Sequence, residues 1–477
     1  MEESRILFKE KVGYSLGDFA ANLMFQVMMV FQLKFYTDVF GLDGAVAGSV
    51  LFIALVADII VDPMVGVLTD QTHTRWGKYR PWILWTALPF SVFYVLAFYN
   101  PGIQDKTLVA VYATVSYILM VSVYSFNNTP YTSLGGVMTS NIRERTSITS
   151  IRFIASTVAQ FVVQGLTLPL VSRFGGENMA KGWLYTIILY ASLAFICFII
   201  TFFSTRERVE PPAQQVANIH ADISETLSNS SWRTVFILTI CLFLTVSMWG
   251  AATSFYFQYY VDQHALFLFL SQWGLMAGLT EADAYSIGFS LFNMVGAVVQ
   301  FIGVILLSQY LSNRFGKKST FIVCLALTAL FTALFYLPDR SDISLMFVFC
   351  FLKSLAYAPT IPLLWAMTAD VADHIEYVNH RRATGFCFSG VVLGLKLGLG
   401  LGGAFAGIIL SLFGYVSGRI FVQDDSAIFG IQIVTSVIPA ILFFVGVVVL
   451  FFYPITKDFN ERIQRELVSR RRVVIEK

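Results

Sequence analysis

The chain has 477 residues, of which 56% are hydrophobic and 13% are charged, and its formal net charge is +2. Soluble domains carry about 25% charged residues, so this composition excludes a soluble globular protein, and the charge gives no basis for binding nucleic acid. Uncharged stretches such as 284–313 and 427–456 exceed the roughly 20 residues that a bilayer helix needs. We therefore predict an all-α polytopic membrane protein.

Apolar runs separated by polar breakers predict about twelve membrane-spanning helices. The predicted spans are 12–40, 45–70, 81–99, 107–132, 149–172, 183–204, 233–262, 283–311, 319–337, 343–370, 384–413 and 428–453. Lysine and arginine concentrate in one set of loops, which marks the cytoplasmic side. These loops hold Arg75, Lys78, Arg80, Arg143, Arg145, Arg206, Arg208, Arg314, Lys317, Lys318, Arg381 and Arg382, and the opposite loops hold Lys106, Arg173, Lys181, Arg340 and Arg419. Both termini are expected in the cytoplasm, since Lys9, Lys11 and Arg470–Arg472 fall on the basic side.

The first span carries a polar stripe, formed by Asp18, Asn22 and Gln26 at intervals of four residues. Two further spans repeat this spacing. Their polar residues are Tyr124, Asn128 and Thr132 in the fourth span and Arg152, Ser156, Gln160 and Gln164 in the fifth. Facing lipid would leave these groups unsatisfied, so we expect all three stripes to face a common interior.

These stripes contain carboxylate, guanidinium, amide and hydroxyl groups, which suit a polyhydroxylated ligand because each sugar hydroxyl both donates and accepts. Polar contacts that hold helices together are the alternative, and it stays open for Asn22 and Gln164. Asp18 and Arg152 cost more to bury, which favours a functional role, and they can also pair with each other.

The second span contains two aspartates, Asp58 and Asp62, in SVLFIALVADIIVDPMVGVL. A carboxylate near the middle of a membrane helix costs roughly 2.5–3.5 kcal/mol. Spacing i to i+4 puts both on one helix face, where they repel each other when ionised. Because apolar residues continue beyond Pro63, we expect the helix to kink there and carry on. A cation, a proton or a basic residue must neutralise the pair. We therefore predict that the two aspartates form a coupling-ion site.

The second half carries its interior charge at Lys396, which opens the small-residue run LKLGLGLGGAFAG in the eleventh span. The glycines predict close approach of another helix, and the expected partner of Lys396 is the Asp58/Asp62 pair. Lys34 and Lys353 lie nearer the ends of their spans, so we expect both to snorkel. Trp365 in the tenth span offers either an aromatic face for a sugar or ordinary core packing.

The two halves of the sequence contain a repeated basic motif. Arg75-Trp76-Gly77-Lys78 follows the second span and Arg314-Phe315-Gly316-Lys317 follows the eighth, an offset of 239 residues. This repeat predicts six-helix bundles at 1–204 and 233–456, a cytoplasmic linker at 205–232 and a basic tail at 457–477, which we expect to form a helix at the membrane face. From position alone, Arg75, Lys78, Arg314 and Lys317 are assigned to gating of the inner face. The segment 263–282 is expected to form a short interfacial helix on the outer surface, with Trp273 near the headgroups.

Five segments resemble one known family. They are KVGYSLGDFAANLMF, FYTDVFGL, ADIIVDPMVGVLTDQTHTRWGKYRPW, FNNTPYTSLGG and ADVADHIEYVNHRRATGF. They are similar to the glycoside–pentoside–hexuronide:cation symporters of the major facilitator superfamily, and the resemblance runs from about residue 11 to about 455. It implies the major-facilitator fold.

The resemblance also implies roles for individual residues. It implies that Asp58 and Asp62 bind sodium or a proton and that Ser125 joins them as a hydroxyl ligand. It further implies that Asp18 and Arg152 hold the sugar, and that Lys396 matches the lysine of the family's eleventh helix.

Three positions depart from melibiose permease, a member of that family. Gly17 stands where the permease has a lysine, Asn128 replaces an aspartate sugar ligand, and Thr132 replaces a stacking tryptophan. The site thus has one anion and one flat surface fewer, which argues against an α-galactoside. A uronate or sulfonated sugar and a neutral glycoside or pentoside are both permitted.

The main hypothesis is a sugar:cation symporter of a cell (inner) membrane that works by alternating access. It is expected to act as a monomer, with sodium or a proton as the coupling ion and with no other cofactor and no catalytic residues. Two alternatives stay open. One is a membrane-embedded enzyme of the prenyltransferase type, whose aspartates would hold magnesium against a diphosphate; the other is a non-transporting sugar sensor on the same scaffold.

Overall fold

The computed structural model describes residues 6–139, 142–176, 178–208, 226–276, 278–379, 384–417 and 423–475, and these ranges are predominantly helical. The helices are α1 (Phe8–Asp38), α2 (Gly44–Asp70), α3 (Arg80–Ala97), α4 (Lys106–Val137), α5 (Ile142–Gly175), α6 (Met179–Ser204), α7 (Ser230–Phe255), α8 (Gln263–Gln272), α9 (Ala284–Phe315), α10 (Lys317–Ala333), α11 (Ile343–Tyr357), α12 (Thr360–Asn379), α13 (Thr384–Leu412), α14 (Asp425–Thr435), α15 (Val437–Phe451) and α16 (Lys457–Ile475). The all-α prediction is confirmed.

Many of these helices are long enough to cross a membrane. Within the described residues, 11 helical segments are long and apolar enough to cross a membrane. Two of these segments are interrupted helices, since α11 with α12 and α14 with α15 each count as one. The shorter α3 has 18 residues and lies between two of them, in agreement with about twelve predicted spans.

Several basic residues named from the sequence fall outside this description. Arg381, Arg382, Arg419 and residues 209–225 of the predicted linker lie outside the described residues, as do the side chains of Arg143, Arg145 and Arg470–Arg472.

The chain forms two compact units. The first comprises Met1–Ala213, Gly274–Met294 and Ala404–Ala427, and the second comprises Gln214–Trp273, Val295–Gly403 and Ile428–Lys477. In the first unit, α1 packs on α5 and α6, and α2 packs on α4. In the second unit, α7 and α10 both pack on α15.

The glycine run of α13 allows the close helix packing that the sequence predicts. A Cβ at Gly398 would come within 2.7 Å of the Ile240 carbonyl oxygen in α7, so only glycine fits there. The Ser247 hydroxyl of α7 donates to the Leu399 carbonyl at 2.7 Å across the same contact.

Two helices lie where the sequence predicts them, while the kink at Pro63 stays a prediction. α2 runs without interruption from Gly44 to Asp70 with Pro63 inside it. A short helix, Gln263–Gln272, occupies the segment after α7, and the following Trp273 is 71% exposed.

The tail forms the predicted helix, but its apolar side is covered by protein. In α16, Ile463 and Leu467 are buried, and the Phe459 ring packs edge-on against His374 of α12, 5.8 Å between centroids. Protein packing thus covers the face that was expected to lie on the membrane.

The prediction that Lys34 snorkels is wrong. Its side chain is 2% exposed, and its ammonium donates to Asp38 at 2.8 Å, one turn further along α1. Asp38 also accepts from the Tyr415 hydroxyl at 2.7 Å. A carboxylate four residues away therefore neutralises the lysine inside the first unit, and the side chain has no need to reach the surface.

Candidate functional site

The aspartates of α2 meet a hydroxyl from α4. The Ser125 Oγ donates to Asp58 Oδ1 at 2.6 Å, and the two residues are 1% and 9% exposed. Most serine and threonine hydroxyls in these helices bind a carbonyl of their own helix, as Ser116 does with Ala113. The hydroxyl of Ser125 instead reaches across to a buried carboxylate of a neighbouring helix.

Asp62 follows Asp58 by one helical turn and is half-buried. The next residue, Pro63, has no N–H, so the carbonyl of Ile59 lacks the usual helical hydrogen bond. Two carboxylates and a released backbone carbonyl thus lie along about one turn of α2, and the Ser125 hydroxyl of α4 contacts the first of the carboxylates. Oxygen atoms of these kinds are the ligands of hard cations such as sodium, and the carboxylates can equally take up a proton.

Asp18 of α1 and Arg152 of α5 form the second charged group of the first unit. Arg152 Nε lies 3.8 Å from Asp18 Oδ2, which is close enough for an ion pair but too long for a hydrogen bond. This Nε is buried and has no hydrogen-bond partner among the described residues. A buried guanidinium N–H normally has an acceptor, so the geometry leaves one donor for a ligand.

A pair of tyrosines holds α1 against α4. The rings of Tyr14 and Tyr131 stack at 4.7 Å between centroids. Each hydroxyl donates to the backbone carbonyl of the other residue, at 3.2 Å from Tyr14 and 2.8 Å from Tyr131. We call this pair the tyrosine clasp. It fixes α1, which carries Asp18, relative to α4, which carries Ser125.

The tyrosine clasp explains why glycine occupies position 17. A Cβ on Gly17 would lie 2.5 Å from Cε2 of Tyr131 and 3.1 Å from the Thr201 hydroxyl. A Cβ on Gly135 would likewise collide with the Tyr14 hydroxyl. A lysine, which melibiose permease has at the position of Gly17, would not fit here.

The remaining predicted substrate residues lie on three helices. Asn22 donates to the Asp18 carbonyl of its own helix at 2.9 Å. Asn128 is half-buried on α4, and the Thr132 hydroxyl donates to the Thr129 carbonyl at 2.9 Å. Trp365 lies in the second unit, where its ring stacks nearly parallel on Phe388 at 6.3 Å.

Lys396 is half-buried on α13, in the second unit. Its expected pairing with Asp58 and Asp62 of the first unit stays a prediction.

The four predicted gating residues differ in their surroundings. Arg75 is exposed over the Trp76 ring, and the half-buried Lys78 lies over the Tyr79 ring. In the second unit, Arg314 donates to the Tyr310 hydroxyl at 3.0 Å. There, the Lys317 ammonium binds both carboxylate oxygens of Asp370 at 2.7 Å.

Sequence reasoning missed Glu207, which organises the first of the two basic loops. Its carboxylate accepts from the backbone N–H groups of Lys78, Tyr79 and Arg80 at 2.8–2.9 Å, at the start of α3. A Cβ on Gly77, whose φ is 111°, would meet this carboxylate at 2.5 Å. Glu207 therefore caps the positive end of α3.

A neighbouring ion pair reinforces this arrangement. Arg208 donates from both terminal nitrogens to the Glu10 carboxylate of α1, at 2.6 and 2.8 Å. These hydrogen bonds to Glu10 raise the pKa of the Arg208 guanidinium above its usual value. The only signal in the sequence is TRER, which directly follows α6, and nothing in its spacing points to the loop at Lys78 or to Glu10.

Comparison with known proteins points to one class of protein. The family model described as "MFS/sugar transport protein" matches residues 13–457. The inner membrane symporter YicJ of Escherichia coli is 32% identical over 474 residues, covering 99% of this chain and 97% of that protein. The isoprimeverose transporter of Lactiplantibacillus pentosus is 30% identical, covering 96% and 91%. The solved structure of the xylose transporter XylE from E. coli, partially occluded and inward open, has a TM-score of 0.59 at 10% identity, covers 94% of this chain and 99% of that chain, and shares the fold.

Proposed function

Since this chain belongs to the MFS/sugar transport family and is a multi-pass secondary transporter, we propose that it carries a sugar or glycoside together with a cation, by alternating access. The basic loops support an orientation with both termini in the cytoplasm of a cell with an inner membrane. One chain carries both groups of site residues, which supports a monomer as the working unit. Membership in a transporter family excludes the membrane-embedded enzyme considered from the sequence.

The cation binds at Asp58, Asp62 and Ser125. The single observation that carries this assignment is the 2.6 Å hydrogen bond from Ser125 to Asp58, buried between two membrane-spanning helices. Two carboxylates one turn apart repel each other when ionised, and a monovalent cation between them removes both the repulsion and part of the cost of burial. The released carbonyl of Ile59 supplies a further oxygen.

The sugar binds beside Asp18 and Arg152. The carboxylate accepts from one hydroxyl, and the partnerless Arg152 Nε donates to another, which the 3.8 Å gap between the two side chains allows. Asn22 and Asn128 add amide groups to the same surroundings, and Thr132 adds a hydroxyl. The role of Trp365, in the second unit, as an aromatic face for a sugar stays a prediction.

α4 connects the two sites. Ser125 and Asn128 are three residues apart and hence about one turn apart on α4, and the tyrosine clasp one turn further fixes α4 to α1. A cation that draws Ser125 and Asp58 together therefore also sets the position of the helices that hold the sugar. By linkage, the sugar raises the cation affinity by the same factor as the cation raises the sugar affinity.

Binding to purified protein tests this function. A panel of sugars and glycosides is screened by the shift of the melting temperature, with sodium chloride or with potassium chloride, and across pH. The proposal expects at least one sugar whose stabilising effect grows with sodium or with a change of pH. It also expects this dependence to vanish in Asp58→Asn while the sugar still binds. Sugar binding that responds to neither cation would contradict it.

A further inference from the structure

Lys353 lies against an aromatic ring in the second unit. Its ammonium stands 3.1 Å from the centroid of the Trp249 ring, which brings α11 and α7 together. Among the described residues, no carboxylate forms an ion pair with this ammonium. The expectation that Lys353 snorkels is therefore wrong, because the charge is directed to a ring on a neighbouring helix.

The depth of the pair in the membrane agrees with that of a substrate site. Lys353 lies ten residues after Ile343, the first residue of α11, so at about 1.5 Å per residue it is about 15 Å from that end. Trp249 lies eleven residues before Tyr260, where the π-helical turn after α7 ends, and this gives a similar depth. A hydrocarbon core of about 30 Å places both near its middle, where transporters of this kind bind substrate.

The backbone is interrupted next to this pair. α11 ends at Tyr357 and α12 begins at Thr360, with Pro359 between them. Pro359 has no N–H to offer the Leu355 carbonyl. Breaks at membrane depth are tolerated where the backbone lines a cavity or is buried in protein, and discontinuous helices build the binding sites of many transporters.

The sequence around Lys353 supplies no carboxylate. The stretches 230–261, 284–338, 343–369 and 377–423 contain no aspartate or glutamate. A cation–π contact supplies only part of what an ammonium loses on leaving water, roughly 2 kcal/mol at a desolvated site. An anion that arrives with the substrate would supply the rest.

We propose that Lys353, held over Trp249, binds a carboxylate or sulfonate carried by the transported sugar, so that the substrate is an acidic glycoside or sugar acid. This inference rests on the proposed function and chooses between the neutral and acidic substrates that the sequence leaves open. The ring positions the ammonium, and the charge selects for acidic over neutral sugars.

Matched acid and neutral sugars test the inference. Glucuronate with glucose, galacturonate with galactose, and the 4-nitrophenyl β-glycosides of each are titrated against purified wild type, Lys353→Gln and Lys353→Arg. Binding is read as the shift in melting temperature. We expect an acid to bind the wild type more tightly than its neutral partner. Lys353→Gln should lower the affinity for the acid by about 10- to 100-fold, the range for a hydrogen bond to a charged group, and leave the affinity for the neutral sugar unchanged. Lys353→Arg should retain the preference for the acid.

Each outcome decides between the proposals. If only neutral sugars bind, or if the acid preference survives in Lys353→Gln, the inference is wrong and the proposed function stands. If no member of the panel binds, both the proposed function and the inference are wrong. Lys106→Gln removes an exposed positive charge at the start of α4 and serves as the control, since it should leave every affinity unchanged.

Discussion

Ser125→Ala is the sharpest perturbation that the structure offers. The hydroxyl is buried, and among the described residues its hydrogen bond is the one to Asp58 at 2.6 Å. A hydrogen bond to a charged group contributes about 1.5–3 kcal/mol, and every 1.4 kcal/mol is about tenfold in affinity. If the hydroxyl both orients Asp58 and binds the cation, its removal should weaken cation binding by about 10- to 100-fold.

The measurement needs no knowledge of the sugar. The melting temperature of purified protein is followed against sodium chloride at constant ionic strength, and against pH in its absence. A ligand of the folded state stabilises it by RT ln(1 + [L]/Kd), so a fit of each titration gives the midpoint of cation binding. Wild type should show a midpoint in one of the two titrations, and Ser125→Ala should move that midpoint. Ser116→Ala is the matched control, since Ser116 is a buried residue of the same helix whose hydroxyl binds its own backbone. A midpoint in Ser125→Ala within threefold of the wild type would refute the reasoning.

Three further changes have defined outcomes. Gly17→Ala places a methyl group 2.5 Å from the Tyr131 ring and should cost about 1–3 kcal/mol of stability by overpacking, seen as a lower melting temperature. Glu207→Ala leaves three backbone N–H groups without their acceptor and should cost about 1–3 kcal/mol, with faster proteolysis of the loop before α3. Arg152→Lys keeps the charge but loses the Nε donor, so sugar affinity should fall about tenfold, the cost of one hydrogen bond to a charged group, with the cation midpoint unchanged.

Each of these predictions has its own contrary result. Gly136 has open space around its Cβ position, so Gly136→Ala should be mild, and equal losses at positions 17 and 136 would remove the packing argument. Unchanged cleavage of the loop in Glu207→Ala would show that the cap is dispensable. A shifted cation midpoint in Arg152→Lys would mean that the residue does not act on the sugar alone.

What the sequence predicts well is what its local pattern and its family motifs encode. Hydrophobic runs predict the helices, and the apolar residues after Pro63 predict that α2 continues. The cost of burying Asp58 points to a site, and the resemblance, which the family comparisons confirm, assigns Ser125 to it.

What the sequence does not predict depends on contacts between distant segments. Glu207 reaches backbone N–H groups about 130 residues earlier, and no local pattern records such a partner. The tyrosine clasp joins residues 117 apart, so the two tyrosines read from sequence as ordinary apolar positions. The prediction for Lys353 is wrong because the distance of a lysine from a helix end does not determine where its ammonium is directed.

Uphill transport in proteoliposomes tests the central claim most directly. With the sugar found in the binding screen at equal concentration on both sides, an inward gradient of sodium or of protons is imposed and internal sugar is measured. Wild type should accumulate the sugar above the external concentration under one of the two gradients and lose it when an ionophore dissipates that gradient. Asp58→Asn should equilibrate at most. Accumulation by Asp58→Asn equal to the wild type, or no accumulation by the wild type under either gradient, would contradict the account.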